Sequence, residues 1–225
     1  MEELIKTSPS KINLFNECPR CFFLQENRGI KRPRGIMSSL PGAIDILVKA
    51  RMDQARATGT IKEIEGISDR YKLYSDQAKL RKWRYWKTGL SYTSNKGLTL
   101  AGAMDDLLVT LGGTKYAPFD IKTKGKEPTQ EDSEKYYQSQ MDAYSLLLAK
   151  NGMKVSGEAI LLYYYPVSVD DETIRFTTKI NILKVDPNRA AKKCLEIIEL
   201  LSTDKIPEPN PACDYCNMLE QSRGI

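Results

Sequence analysis

Asp120 and Lys122 stand two residues apart in TKYAPFDIKTK, a stretch whose alternation reads as a β-strand. Side chains two apart share a strand face, so the carboxylate and the ammonium emerge together while Phe119 and Ile121 turn to a core. The preceding stretch, GLTLAGAMDDLLVTL, is also strand-like, and Gly112-Gly113 between the two is a hairpin signal. Asp105 shares its face with Ala103 and Leu107, so the hairpin can set Asp105 beside Asp120. Two carboxylates can hold a hard divalent cation, Mg2+ or Mn2+, with the backbone carbonyl of Ile121 and waters completing the shell. Such an ion acidifies water and neutralises a phosphate. Lys122 can orient or deprotonate the water, or stabilise charge on the phosphoryl oxygens. This is a histidine-free route to phosphodiester hydrolysis. An exposed salt-bridged sheet face containing Asp105, Asp106, Asp120 and Lys122 is the alternative reading of the same spacing.

Histidine freedom matters because the 225 residues contain none. Ser-His-Asp catalysis, Cys-His catalysis and His-ligated zinc are all excluded. The formal net charge of +5 is compatible with a nucleic-acid partner without demanding one. With 41% apolar and 28% charged residues the composition is that of an ordinary globular domain. No apolar run is long enough to span a bilayer, and MEELIKTSPSK has no signal core, so a cytoplasmic location is expected.

Five cysteines add a second chemistry. Cys18 and Cys21 form C-P-R-C, and Cys213 and Cys216 form C-D-Y-C. Each pair can grip a metal centre through two thiolates, so a site using both would clasp the N-terminal region to the C-terminal one. Four thiolates suit a [4Fe–4S] cluster or Zn2+, and spacing does not choose between them. Disulfides are the remaining option, disfavoured in a reducing compartment. Cys194 lies alone in an apolar helix and reads as core.

The elements around these residues alternate in type. Ser8-Pro9 opens a helix by cap and first-turn rules. Residues 28–41 form a basic Pro/Gly-rich connection. A helix follows from Gly42 toward a stop at Gly59, residues 60–75 are irregular, and Ser75 to Trp86 is helical and basic. Thr129 caps a long helix reaching Lys150 and Gly152. GEAILLYYYPV and TIRFTTKINILKV make two strands joined at Asp170-Asp171, and Asp186-Pro187 opens a last helix. PEPNPACDYC is too rich in proline to be helical. The expected class is mixed α/β with one sheet.

Gly102-x-x-Asp105, Asp120-x-Lys122 and Gln140-x-x-x-Tyr144, in that order, resemble the PD-(D/E)XK nuclease superfamily. The nearest resemblance is to its RecB-like branch, which includes the CRISPR adaptation nuclease. The resemblance covers the chain from about residue 8 onward. It implies a restriction-endonuclease-like core, a mixed central sheet flanked by helices, closed by the cysteine clasp. It implies metal roles for Asp105 and Asp120, a catalytic role for Lys122, and places Gln140 and Tyr144 beside the site. Their four-residue spacing independently puts them on one helix face. RecB-like nucleases usually carry a histidine on an early helix, in a setting like Gly42-Ala-Ile-Asp45, so Asp45 stands where that metal ligand would be. Several of these nucleases hold an iron–sulfur cluster with one N-terminal and three C-terminal cysteines. This chain has two and two.

KLRKWRYWK interleaves bases and aromatics, so Lys82, Trp83, Arg84 and Trp86, with Lys124, are candidate DNA contacts. The loop Gly29–Gly35 adds a second basic stretch. Inward-packed aromatics with solvated charges explain KLRKWRYWK as readily. The expected organisation is a single nuclease domain over 1–225. Within it, 1–30 and 207–225 form a metal-cluster subdomain, 31–95 a helical basic DNA-binding region, and 96–206 the catalytic core. The function expected is metal-dependent hydrolysis of DNA, exonucleolytic or end-trimming, on single strands or ends, with a helicase or CRISPR adaptation complex as possible partner. The alternative is a catalytically inactive DNA-binding scaffold that kept the fold.

Overall fold

The computed structural model describes residues 4–33, 35 and 38–222. Arg34 of the Gly29–Gly35 basic loop lies outside the described residues.

The elements in chain order are β1 (Ile5–Thr7), α1 (Pro9–Glu17), α2 (Pro19–Arg28), α3 (Leu40–Ala55), a 3-10 segment (Lys62–Ile67), β2 (Tyr71–Leu73) and α4 (Gln77–Trp83). They continue with β3 (Leu90–Thr93), β4 (Leu98–Gly102), β5 (Asp106–Thr110), β6 (Tyr116–Thr123), α5 (Gln130–Lys150), β7 (Glu158–Asp170), β8 (Thr173–Lys184), α6 (Pro187–Leu201) and α7 (Asp214–Ser222). Among the described residues no helix is long and apolar enough to cross a membrane.

The strands form two sheets rather than the one expected: β1-β4-β3 and β2-β5-β6-β7-β8. The stretch 98–110, which alternation marks as one strand, breaks after Gly102, where β4 leaves one sheet and β5 joins the other. Close packing accompanies the break. A Cβ on Gly102 would lie 3.1 Å from the Pro9 ring, and one on Gly89 only 2.4 Å from the Gly102 carbonyl oxygen. The chain crosses itself where side chains do not fit. Short edge strands β1 and β3, three and four residues long, have too few positions to show a period.

In the larger sheet β5 and β6 are antiparallel, and β6 and β7 are parallel through the α5 crossover. Ile160, Leu161 and Leu162 of β7 are all fully buried, as a strand covered on both faces requires. One face carries Leu107, Leu161, Tyr163 and Leu183 against Met141, Ala143, Leu147 and Leu148 of α5, with Ile12 and Phe15 of α1 beyond. The other carries Leu108, Phe119, Ile121 and Ile160 against Val48 and Met52 of α3 and Ile64.

The capping rules hold at four helices. Ser8 Oγ accepts from Lys11 N–H at 3.3 Å, and Thr129 Oγ1 from Asp132 N–H at 3.0 Å. Asp186 caps α6 through Asn188 N–H, and Asp76, not Ser75, caps α4. The helix expected to reach Gly59 stops at Ala55. The last expectation fails at Cys213: beyond Pro211 no proline obstructs it, and α7 starts at Asp214.

Candidate active site

One step past the Asp106–Phe119 pair, the β5–β6 ladder sets Asp105 opposite Asp120. Asp105 Oδ2 accepts a hydrogen bond from the backbone N–H of Ile121 at 3.2 Å, which fixes the carboxylate against β6. In an antiparallel ladder a residue's N–H and C=O face the same neighbour, so the Ile121 carbonyl also faces the Asp105 side. Phe119 and Ile121 are buried on the α3 face, and Asp120 and Lys122 turn to the opposite one.

The adjacent acids part company. Asp106 is fully buried, and its Oδ2 accepts from Arg84 at 2.7 Å and from Arg56, whose guanidinium also contacts Asp53 at 2.9 Å. Arg84 further donates to Asp53 at 2.8 Å and to the Asp105 carbonyl at 2.7 Å. This two-arginine, two-aspartate knot holds the backbone on which Asp105 rides. Burial opposes the charge on Asp53, but Arg84 and Arg56 outweigh it and hold that carboxyl below its usual range.

Asp120 is almost fully buried. Burial pushes its carboxyl up to about 7, with the Lys122 charge opposing and the Asp105 charge adding. The Lys122 ammonium touches Asp120 Oδ2, yet that oxygen accepts no hydrogen bond of proper geometry. Lys122 Nζ also sits 4.7 Å from the Tyr137 ring centroid. Burial alone would lower the Lys122 pKa, but Asp120 and Asp105 more than compensate and keep the ammonium charged.

A second lysine joins the group. Lys49 of α3 donates to Asp45 Oδ2 and to Asp105 Oδ1, both at 2.7 Å. Burial pulls its pKa down, and Asp105 and Asp45 together raise it above the ordinary value. Asp45 is thereby linked to the site through a cation rather than by direct approach of carboxylates. Lys49 and Tyr137 escaped sequence reasoning. The only signal was Lys49 one helical turn after Asp45, and nothing in the order of residues brings α3 to β5.

Gln140 Nε2 donates to the Tyr144 hydroxyl at 3.0 Å, which donates to the Ala103 carbonyl at 2.7 Å. Tyr144 is buried, and burial with the nearby Asp120 and Asp105 charges drives its hydroxyl far above the usual range. The pair braces the β4–β5 link just before Asp105.

The basic, aromatic stretch divides. Trp83 stacks on Tyr74 at 5.8 Å and packs, partly buried, against the core, and Arg84 is engaged in the aspartate knot. Lys82 is exposed, and Trp86 is 72% exposed with Lys87 5.2 Å over its ring. Lys124 pairs with Asp132 at 3.1 Å.

The carboxylates of Asp105 and Asp120 are the hard oxygen donors that suit a divalent cation, but Asp45, Asp105 and Asp120 do not converge as a ready ligand group, since among the described residues only the four cysteines do. The orphaned Asp120 oxygen is the other feature that such an ion would satisfy.

At the opposite extreme of the chain, Cys18, Cys21, Cys213 and Cys216 are buried and their sulfurs all lie within 4.8 Å of one another. The Cys21–Cys213 separation is 3.6 Å; Cys21–Cys216 and Cys18–Cys216 are 3.7 Å. Arg32 of the basic loop donates to Cys213 Sγ at 3.4 Å and to Glu17 at 2.7 Å, and its guanidinium lies 4.8 Å over Tyr215. Burial opposes ionisation of Cys18, but the backbone N–H groups of Cys21 and Asn210 outweigh it and bring its thiol down to about 7. Cys194 lies apart in α6, its thiol pushed up to about 11 by burial.

Comparison with known proteins gives three results. The family described as the PD-(D/E)XK nuclease superfamily matches residues 40–221. No curated protein sequence matches. Among solved structures, an alkaline exonuclease from Laribacter hongkongensis is similar at 16% identity, covering 89% of this chain and 88% of that one, with a TM-score of 0.38.

Proposed function

Because this chain belongs to the PD-(D/E)XK nuclease superfamily, we propose that it is a metal-dependent nuclease acting on DNA, trimming single strands or ends. The observation that carries the reading is the placement of Asp105, just before β5 and bonded to the Ile121 N–H, beside Asp120 of β6, with Lys122 on the same face and an Asp120 oxygen left without a well-formed hydrogen bond.

Asp45, Asp105, Asp120 and the Ile121 carbonyl would hold Mg2+ or Mn2+. Such an ion would supply positive charge against the phosphate and make water more acidic. The protein's own groups do the rest. Lys122, whose pKa its carboxylate neighbours raise, is an electrostatic partner for the phosphoryl oxygens and a donor that orients water. Tyr137 fixes its ammonium. Gln140 and Tyr144 act as positioning residues through Ala103, setting where Asp105 stands. Lys49 balances the charges of Asp45 and Asp105, where a bound divalent cation would compete with it. Exposed Lys82, Tyr85, Trp86 and Lys87 offer charge and stacking to a single strand.

The test is cleavage of labelled single- and double-stranded DNA with Mg2+ or Mn2+ by wild type, Asp120→Ala and Lys122→Ala. Cleavage by wild type alone is expected. Equal background from all three would leave the scaffold reading in its place.

A further inference from the structure

We infer that the cysteine quartet is a tetrahedral site for a single zinc ion, not the seat of a [4Fe–4S] cubane, and that Arg32 is its resident counter-charge. The argument is one of size. Zinc–thiolate bonds of about 2.3 Å, arranged tetrahedrally, put neighbouring sulfurs about 3.8 Å apart. Three pairs stand at 3.6, 3.7 and 3.7 Å, and the whole set lies within 4.8 Å. These sulfurs are at contact distance and enclose a hole for one ion. In a cubane each cysteine holds a different iron at a corner of the cluster, so the four sulfurs must surround four irons and four sulfides. Sulfurs that touch one another leave no such space.

The local architecture agrees. Both pairs straddle the start of a helix in the same way. Cys18 caps α2 and Cys21 is its third residue; Cys213 precedes α7 and Cys216 is its third residue. Each arm therefore presents two sulfurs from one rigid turn, and the Cys21 N–H approaches Cys18 Sγ at 3.5 Å. All four residues are at most 8% exposed, which suits a closed structural site with no open coordination position. Four thiolates on a divalent ion leave two excess negative charges. Arg32, 3.4 Å from Cys213 Sγ and clamped between Glu17 and Tyr215, supplies a fixed positive charge against them.

The inference is independent of the nuclease reading, since its test measures composition rather than cleavage. Whole protein, purified without air from cells supplied with both iron and zinc, is analysed for metals and acid-labile sulfide. One zinc per chain, no sulfide and no visible colour are expected, and Co2+ exchanged into the site should show the intense absorption of a tetrahedral thiolate centre. Stoichiometric iron with sulfide would overturn the inference, as would a single iron or a metal-free quartet. Arg32→Met should release zinc to a chelator about tenfold faster, and Arg32→Lys less so. Unchanged release from Arg32→Met would remove Arg32 from the account.

Discussion

The carboxylate corner and the cysteine clasp solve opposite problems. Both gather anionic ligands from distant parts of the chain. In the clasp four sulfurs stand within 4.8 Å of one another, presented in pairs from the starts of α2 and α7. In the corner, lysines stand beside or between the carboxylates: Lys49 bridges Asp45 and Asp105, and Lys122 lies against Asp120. Two carboxylates about 4 Å apart repel by roughly 4 kcal/mol in a partly buried setting, so such a group is held only with cations in it. The spacing of the thiol site is set by two helix starts; the carboxylate site is propped by lysines.

That contrast can be broken or sharpened by experiment. The largest expected effect is at the corner: Asp120→Ala or Lys122→Ala should cut cleavage of labelled DNA about a thousandfold or more. Survival of activity within a few-fold would make the corner an ordinary salt-bridged face. Next is the clasp. Its ligands lie up to 198 positions apart, and a cross-link over such a loop is worth roughly 5 kcal/mol in the chain-entropy estimate. Cys213→Ser with Cys216→Ser should therefore show a large loss in denaturant stability, and a shift as small as that of Cys194→Ser would contradict a clasp. Third, Lys49→Met should bind Mn2+ about tenfold more tightly than wild type by calorimetry, because a competing cation is gone, while Lys49→Arg should not. Equal affinity in Lys49→Met would mean that Lys49 is no placeholder. Fourth, Trp86→Ala should weaken single-strand binding by about 1 kcal/mol at most without changing stability, whereas Trp83→Ala should reduce stability. A reversed pattern would return the stacking role to Trp83.

The smallest effect concerns the knot behind the corner. Asp53 has a folded pKa below its unfolded value of about 3.9, so its contribution is present above that pH and is lost as pH falls through the folded value. Asp53→Asn should flatten the acid side of the stability profile by less than about 1 kcal/mol, since the pair is partly solvated. A curve parallel to wild type would show that Arg84 and Arg56 are content with Asp106 alone.

Much of this was legible from residue order, for identifiable reasons. A period of two marked the face shared by Asp120 and Lys122, and a Gly-Gly turn fixed which residues it could meet. Helix caps are local and readable, as at Ser8, Thr129 and Asp186. What escaped depends on long-range placement. Alternation carries straight through 98–110, whereas the break falls where Pro9 and Gly89 pack against Gly102, which no local pattern reveals. Residue order gives Trp83 and Arg84 the same character as Lys82 and Trp86; the Trp83–Tyr74 stack and the Arg84–Asp106 pair depend on the packed structure. The two cysteine pairs advertised a metal, but the size of the hole between them is a property of three dimensions.

The clasp also sets an order of events in synthesis. Cys213 and Cys216 leave the ribosome almost two hundred residues after Cys18 and Cys21. Helices α1 and α2 emerge well before α5 and α6, on which they pack. The earliest segment therefore waits for its partners, with two thiols exposed to oxidants and to stray metal ions throughout translation. A cell that makes this protein has to keep that waiting half-site reduced until its second half arrives.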